Sequence, residues 1–257
     1  MKHRSFIMLC LLAGSVLASA QDAASIIKAS RNRIKADTVS SRSRMVITAK
    51  NGTATERLID QYSKDDAQGR GRSVIVFQQP QAVAGTRFLS LESGGNNNDQ
   101  WIYLPALNRV RRIAASEGSS SFMGTDFSYD DIASANRDAN LDNHTLAREE
   151  TLNGKACYVI ESKPKDGSYQ YSRMVSWIDK DTLISYKLEL YDKRNALVKR
   201  VEMQDIKDFQ GRLTPAKTVM TTVGAGTFTT IYITILKYDD PIPESVFTPR
   251  FLETGRP

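Results

Sequence analysis

The sequence predicts a mainly β protein, in which a curled antiparallel sheet of about 11 strands forms an open half-barrel. An N-terminal helix and a helical or irregular lid are expected to pack against the concave side. Segments in which apolar and polar residues alternate follow one another through residues 41–113 and 145–238, separated by turn signals. Such alternation is typical of antiparallel strands with one buried face. A sheet of this width is expected to curl, because a flat open sheet of many twisted strands is disfavoured.

The first residues have the features of a secretory signal. A basic stretch at positions 2–4 precedes an apolar run over 6–17, which is too short to span a bilayer. The run ends in Ala18-Ser19-Ala20, the small-residue pattern that a signal peptidase accepts. We therefore expect residues 1–20 to be cleaved as a Sec-type signal peptide and residues 21–257 to form a single domain.

Cysteine usage and charge narrow the class of protein further. Ser15 stands where a lipobox would need a cysteine, so we expect a soluble product without a lipid anchor. Cleavage leaves Cys157 as the only cysteine, and the alternating stretch around it predicts a buried structural thiol. Loss of Lys2 and Arg4 lowers the net charge from +6 to about +4. That charge suits proximity to anionic lipid but is too weak to indicate nucleic-acid binding.

A first helix is expected after Asp22, which can act as its N-cap. Small or apolar residues then recur at three- and four-residue steps and form one stripe that must lie on the sheet: Ala23, Ile26, Ile27, Ser30 and Ile34. In the later strands, alternation predicts these residues on the concave side: Ile184, Tyr186, Leu188, Leu190, Ile231, Ile233 and Ile235.

Residues 114–143 interrupt the series of strands. An irregular stretch of this length inside a compact domain is usually functional or disordered, and its aromatic residues argue against disorder. The large side chains are Phe122, Met123, Phe127 and Tyr129. We interpret residues 114–131 as a lid over the mouth of the sheet. The alternative is a long loop that these four side chains merely fasten to the core.

A tight hairpin directly precedes this segment, with Pro105-Ala106-Leu107-Asn108 as its turn. Its strands contribute Trp101, Tyr103 and Leu104, and then Arg109, Arg111 and Arg112. The commonest role of such arginines is surface ion pairing, here with the acidic residues Asp126, Asp130 and Asp131. The alternative is that they bind a phosphate or carboxylate head group at the rim of a cavity.

Few residues suggest catalysis. The chain beyond the signal holds one histidine, His144, so a site built on several histidines is excluded and a Ser-His-Asp triad would depend on that residue. The polar stretch around His144 is typical of a solvated loop. The acidic residues of the lid lack the spacing of a calcium-binding loop. We therefore expect no catalytic residues, no metal and no cofactor.

Three stretches resemble a known family: Gly85-Thr86-Arg87-Phe88-Leu89-Ser90-Leu91, then Asp99-Gln100-Trp101-Ile102-Tyr103-Leu104-Pro105-Ala106-Leu107-Asn108-Arg109-Val110-Arg111-Arg112-Ile113, then Phe122-Met123-Gly124-Thr125-Asp126-Phe127-Ser128-Tyr129-Asp130-Asp131. They are similar to the bacterial outer membrane lipoprotein-sorting proteins, whose fold is that of the LolA and LolB carriers. The resemblance implies a LolA-like open β-barrel over residues 21–257, located in the periplasm, with an apolar concavity that receives acyl chains.

On that basis we expect a carrier of lipoprotein acyl chains or another lipid, with transport to the outer membrane and transient membrane contact. A transporter of the resistance-nodulation-division (RND) class is the partner that the resemblance implies. The alternative is a periplasmic docking or sensing module without lipid cargo. The expected ligand-binding residues are Trp101, Tyr103, Leu104, Arg109, Arg111, Arg112, Phe122, Met123, Phe127 and Tyr129.

Overall fold

The structure is a computed structural model that describes residues 18–93, 98–134 and 137–256. Most of the expected signal peptide, residues 1–17, lies outside the described residues. The first helix, α1, spans Ala18–Arg31. Asp22 therefore lies inside the helix, and its predicted role as N-cap is wrong because the helix begins four residues earlier.

In the described part of the chain thirteen strands follow, all in one antiparallel sheet. The first six are β1 (Thr38–Thr48), β2 (Ala54–Asp65), β3 (Gly71–Gln79), β4 (Arg87–Leu91), β5 (Asp99–Leu104) and β6 (Arg109–Arg112). The other seven are β7 (Asp142–Leu152), β8 (Lys155–Pro164), β9 (Arg173–Asp179), β10 (Ser185–Tyr191), β11 (Leu197–Phe209), β12 (Arg212–Thr222) and β13 (Thr227–Tyr238). Even the four-residue β6 pairs with a neighbouring strand. The thirteen strands among the described residues exceed the predicted count of about 11.

The first and last strands in the sequence, β1 and β13, are neighbours in the middle of the sheet. The strand order runs β6-β5-β4-β3-β2-β1-β13-β12-β11-β10-β9-β8-β7, and the pairing of β1 with β13 joins the two halves. Side chains from both halves, such as Phe88 of β4 and Leu190 of β10, belong to one buried cluster. The sheet is therefore curled around that cluster and remains open, which confirms the predicted half-barrel.

Helices cover parts of both faces. On the concave face, Ala23, Ile26 and Ile27 of α1 pack against Ile160 and Ile178 at the β8–β9 end. The short helix α2, Tyr129–Ala133, belongs to the segment between β6 and β7.

On the convex face, a short 3-10 helix, Glu244–Phe247, and the last helix, α3, cover strands β3 to β6. Helix α3 spans Pro249–Thr254 and was not predicted from the sequence. Among the described residues, no helix is both long enough and apolar enough to cross a membrane.

A β-bulge changes the face of one predicted inward residue. The pairing of β1 with β13 shifts register between Arg42 and Ser43, so Thr234 is extra and the alternation along β13 reverses beyond it. Ile231 and Ile233 pair with the concave-face residues Met45 and Ser43, as predicted. Ile235 pairs with Arg42 and is 49% exposed, so its predicted inward position is wrong.

Candidate functional site

The concave face of the sheet is apolar and is occupied by the lid segment, residues 114–131. Phe122 is fully buried there. Its ring centroid lies 5.0 Å from that of Phe88 and 5.9 Å from that of Phe77, both on the sheet. It also lies 5.4 Å from Tyr129 of the same segment, with the two rings perpendicular. Edge-to-face contacts of this kind add to the free energy of aromatic burial.

A compact turn holds these aromatic side chains in place. The amide of Phe122 donates to the carbonyl of Phe127 over 2.7 Å, so the chain reverses between them. Ser128 then caps α2: its hydroxyl accepts from the amide of Asp131, and the Asp131 carboxylate accepts from the amide of Ser128. The reversal and the cap fix Phe122, Phe127 and Tyr129 on the side that faces the sheet.

The tip of the lid is fastened to the sheet by Asp126. This buried carboxylate accepts hydrogen bonds from the hydroxyls of Thr222, Thr227 and Thr229, at the turn between β12 and β13. The Asp126 amide donates to the Thr229 hydroxyl over 3.0 Å. We call this set of four residues the threonine latch. Its bonds are charge-assisted and buried, which makes them stronger than solvent-exposed contacts.

A second attachment lies at the other end of the lid, on Asp131. Its carboxylate accepts from Tyr171 over 2.7 Å and forms a 2.5 Å ion pair with Lys199 of β11. Burial and the neighbouring Asp131 charge raise the pKa of the Tyr171 hydroxyl, so it stays protonated and remains a donor. The lid is therefore bound to the rest of the protein by polar contacts at Asp126 and Asp131 and by the aromatic packing of Phe122.

Little space remains beside the lid. A cavity of about 50 Å³ lies between the polar end of the concave face and the end of α2, lined among others by Gln61, Ser73, Ser90 and Ile132. A cavity of about 150 Å³ takes one benzene, so this one is too small for an acyl chain. An acyl chain that takes the place of the lid on the concave face therefore requires the lid side chains to move.

Arg57 of β2 also faces the concave cluster, because it pairs with Met45. Its guanidinium carbon lies 5.6 Å from the ring centroid of Phe77. Its buried Nη1 has no hydrogen-bond partner among the described residues. Burial lowers the pKa of this guanidinium, although an arginine stays charged in a protein. A half-buried cation with one buried, unpaired donor is a natural site for a carboxylate or phosphate group.

The three predicted arginines lie on two different faces. Arg111 pairs across β5 with the concave residue Ile102, and its guanidinium binds Glu117 of the lid at 2.7 Å. Arg112 pairs with the convex residue Trp101 and binds Asp99. Arg109 is exposed at the start of β6. The first two thus form surface ion pairs, and Arg111 adds a polar contact between lid and sheet.

Solved structures identify the family. A DUF1329 family protein from Desulfovibrio piger is 31% identical in sequence and superposes with a TM-score of 0.87, over 91% of this chain and 99% of that one. The chain belongs to the DUF1329 family. A family model described only as an uncharacterized protein also matches residues 69–254. A comparison with curated proteins gave no significant match.

Two further solved structures are similar to this DUF1329 protein. A putative outer membrane lipoprotein-sorting protein domain from Vibrio parahaemolyticus is 27% identical, with a TM-score of 0.85 over 91% of this chain and 99% of that one. A LolA superfamily protein from Nitrosomonas europaea has 20% identity and a TM-score of 0.71, with the same coverage, and so shares the fold. The predicted family is confirmed, and none of these three proteins is described as an enzyme.

The structure of this DUF1329 protein brings only part of the predicted site together. Five of the predicted residues contact the concave cluster: Leu104, Phe122, Met123, Phe127 and Tyr129. Trp101 and Tyr103 pack instead on the convex face, against the cluster that contains α3. They alternate with Ile102 along β5, so they cannot share a face with it. Trp101, Tyr103 and Arg112 therefore lie on the face opposite the lid, and their predicted role in ligand binding stays a prediction.

His144 and Cys157 lie in strands. The expected solvated position of His144 is wrong: it belongs to β7 and is buried, with Nδ1 2.7 Å from the Ser162 hydroxyl and Nε2 2.8 Å from the Ala139 carbonyl. Burial lowers its pKa, so the imidazole is held neutral. Cys157 is a buried free thiol, as predicted.

Sequence reasoning missed Arg57, Phe77 and Phe88. One signal for Arg57 was present, because it is in phase with Ile59 and therefore on the apolar side of β2. A buried ion pair was also missed, in which Nη2 of Arg137 lies 2.9 Å from Oδ1 of Asp142. It had no sequence signal, because Arg137 lies in an irregular stretch.

Proposed function

We propose that this protein is a periplasmic carrier for lipoprotein acyl chains or another lipid, acting in transport to the outer membrane. One observation carries the proposal: the curled sheet has an apolar concave face, and aromatic side chains of the protein's own lid occupy it. An acyl chain has the same chemistry as those side chains. It can replace them on the sheet while the lid moves aside.

The energetics suit exchange between a closed and a loaded state. Each buried methylene is worth about 0.8 kcal/mol, so one acyl chain of ordinary length gains more than the lid aromatics lose. The lid is joined to the sheet by the threonine latch, the Asp131 contacts and a few rings, which makes it a unit that can open without unfolding the sheet. Loading is then a population shift from lid closed to lid open.

Arg57 gives this carrier a polar contact for its ligand. The guanidinium has a donor without a partner among the described residues, at the side of the concave cluster. A carboxylate or phosphate head group would satisfy that donor while the acyl chain lies on the apolar face. Arg109, exposed at the hairpin, extends the same preference to the surface.

The remaining parts of the proposal rest on the sequence and the family. Residues 1–20 direct export, and residues 21–257 are the mature carrier without a lipid anchor. An RND-class transporter as partner rests on the resemblance alone, and co-purification from cross-linked membranes tests it. The carrier acts by binding, without catalytic residues of its own.

The test is lipid occupancy of the mature protein from its own periplasm, measured by native mass spectrometry and analysis of the solvent extract. We expect a bound amphiphile near unit stoichiometry. Leu188→Lys places a charge on the concave face and should abolish retention. Val46→Lys is the matched control, because Val46 is also half-buried but lies on the convex face.

Lipid-free protein that also fails to take up a fluorescent fatty acid would overturn the carrier proposal. The alternative, a docking or sensing module, is favoured by one observation: β6 and β7 end the sheet, and neither outer edge pairs with another strand of the described chain. An open edge can accept a strand from a partner protein. That alternative predicts clean protein that binds a partner through β7.

A further inference from the structure

The turns of the sheet form two rims with different charge. Consecutive strands are antiparallel, so their connections alternate between the rims. One rim, which we call the basic rim, contains the connections 49–53, 80–86, 105–109, 163–173, 192–196 and 223–226. Neighbouring connections touch: Lys193 Nζ donates to the carbonyl of Gly167 over 2.7 Å, and Gly226 lies against the side chain of Lys50. On the basic rim, connection 192–196 therefore contacts 163–173, and connection 223–226 contacts 49–53.

The charge on this rim is strongly positive. Its six connections carry seven lysines or arginines and two acidic residues. Both acids accept hydrogen bonds within their own turns, Asp166 from Ser168 and Asp192 from Arg194 and Ala196. Among the cations, Arg194 is ion-paired with Asp192, and Lys163 and Arg173 are ion-paired with Glu161 of β8. The opposite rim, formed by residues 32–37, 65–71, 92–93, 153–154, 180–184, 209–212 and 239–244, carries five basic and eight acidic residues. The molecule thus has a positive and a negative end.

Exposed apolar side chains stand on the same basic rim. Leu107, at the turn between β5 and β6, is 68% exposed, and Val223, at the turn between β12 and β13, is 41% exposed. Between the last turns of this rim lies an open groove of about 590 Å³, lined by Glu161, Lys163, Ser172, Arg173, Lys193 and Asn195. Two of its basic lining residues, Lys163 and Arg173, are ion-paired with Glu161 in the same groove, so the groove adds only Lys193 to the charge of the rim.

We propose that the basic rim docks on an anionic phospholipid surface, with Leu107 and Val223 inserted among the head groups. Clustered cations next to exposed apolar side chains are the combination that binds interfacial lipid. An acidic protein partner would use the charges but gains nothing from apolar side chains on separate turn tips. This surface is where the proposed carrier would contact a membrane. The binding itself does not depend on the carrier function, but its biological use does.

Flotation of the mature protein with vesicles tests the inference. Vesicles of phosphatidylcholine with phosphatidylglycerol should bind the protein, and binding should fall steeply with salt. Vesicles of phosphatidylcholine alone should not. Lys50→Glu should weaken binding at least about fivefold, because each cation near such a surface is worth roughly a factor of five. Lys35→Glu, an equally exposed site on the opposite rim, should not change it.

The apolar contribution has its own matched pair. Val223→Ser should weaken binding to the anionic vesicles, whereas Leu213→Ser should leave it unchanged, since Leu213 is 44% exposed at the opposite rim. The inference would be overturned if substitutions on the opposite rim weakened vesicle binding as much as those on the basic rim. It would also be overturned if the wild type did not bind anionic vesicles. Binding that depends on the lysines but not on Val223 would overturn it as well, because the exposed apolar side chains would then not enter the head groups.

Fatty-acid uptake measured without vesicles keeps the two proposals separate. Vesicle binding without uptake leaves the docking surface standing and overturns the carrier. Uptake without vesicle binding does the reverse.

Discussion

Arg57 is expected to lower the stability of the empty protein while it favours binding of an anionic ligand. A buried charged donor without a partner costs free energy in the empty protein, and only the contact with the Phe77 ring offsets part of that cost. Sites kept for a ligand are often strained in this way.

We expect Arg57→Met to leave the free energy of unfolding unchanged or to raise it by up to about 2 kcal/mol, because the uncompensated charge is removed. The same change should weaken binding of a fatty acid by about tenfold, since a charge-assisted hydrogen bond is lost, and should leave binding of the matching fatty alcohol almost unchanged. Urea unfolding and fluorescence titration measure the two quantities.

Arg44→Met is the control for this substitution. Arg44 lies on the convex face of the neighbouring strand, in an exposed ion pair with Glu56. It should affect neither the unfolding free energy beyond a few tenths of a kcal/mol nor the preference for the fatty acid. A fatty acid preference that survives Arg57→Met would show that another group binds the carboxylate.

At the scale of elements, the lid and the C-terminal helices are opposite coverings of the same sheet. Phe122 anchors the lid on the concave face, and Phe247 anchors the C-terminal 3-10 helix on the convex face. Phe122→Ala should lower the stability of the closed lid by about 3–5 kcal/mol, the usual cost of removing a buried aromatic ring.

Hydrogen exchange locates that loss. In Phe122→Ala, the amides of residues 114–131 should exchange faster while those of β1 and β13 keep their protection, because the lid opens as a local unit. Phe247→Ala should be similarly destabilising without faster exchange in the lid. Uniformly faster exchange throughout the sheet in Phe122→Ala would mean that the lid is part of the global folding unit.

The C-terminal covering should respond to acid through Glu244. Hydrogen bonds from Arg72 and then Lys64 lower the pKa of Glu244 from 4.5 to about 2. Because the folded-state pKa is the lower one, the stabilisation by Glu244 is present above pH 4.5 and is lost as the pH falls towards 2.

Thermal unfolding of the wild type and Glu244→Gln measures this effect. The wild type should unfold at the higher temperature near pH 6, and the difference should shrink steadily below pH 4.5. A difference that is constant down to pH 2 would mean that packing at this position, and not charge, stabilises the helix.

The strands and the lid were predictable from the sequence to different extents. Strands such as β11 and β13 lie within the range 145–238 where alternation predicts strands, because a half-buried antiparallel strand alternates apolar and polar residues with a period of two. That period does not say which face is concave. On β5 both faces are covered, and Trp101, which was expected to bind the ligand, lies on the convex one. The aromatic lid was recognisable, whereas the threonine latch depends on residues about 100 positions apart and left no local signal.

At the scale of the whole molecule, the two halves of the curled sheet share one interior, and the lid and a ligand compete for it. A ligand that binds only the open form has an apparent dissociation constant equal to the intrinsic one divided by the open fraction. Each 1.4 kcal/mol removed from lid closure should therefore tighten apparent binding about tenfold, until the open form dominates.

A series of three variants tests this competition. Asp126→Ala breaks the threonine latch and should cost lid closure about 1–3 kcal/mol, and Phe122→Ala removes the main anchor. Both should unfold more easily than the wild type yet bind a fluorescent fatty acid more tightly, in the order of their lid exchange rates. Phe247→Ala should lose stability without gaining affinity, because the convex face is not the binding surface. If affinity instead falls in all three variants together with global stability, the lid belongs to the binding site, and the closed form is the one that holds the ligand.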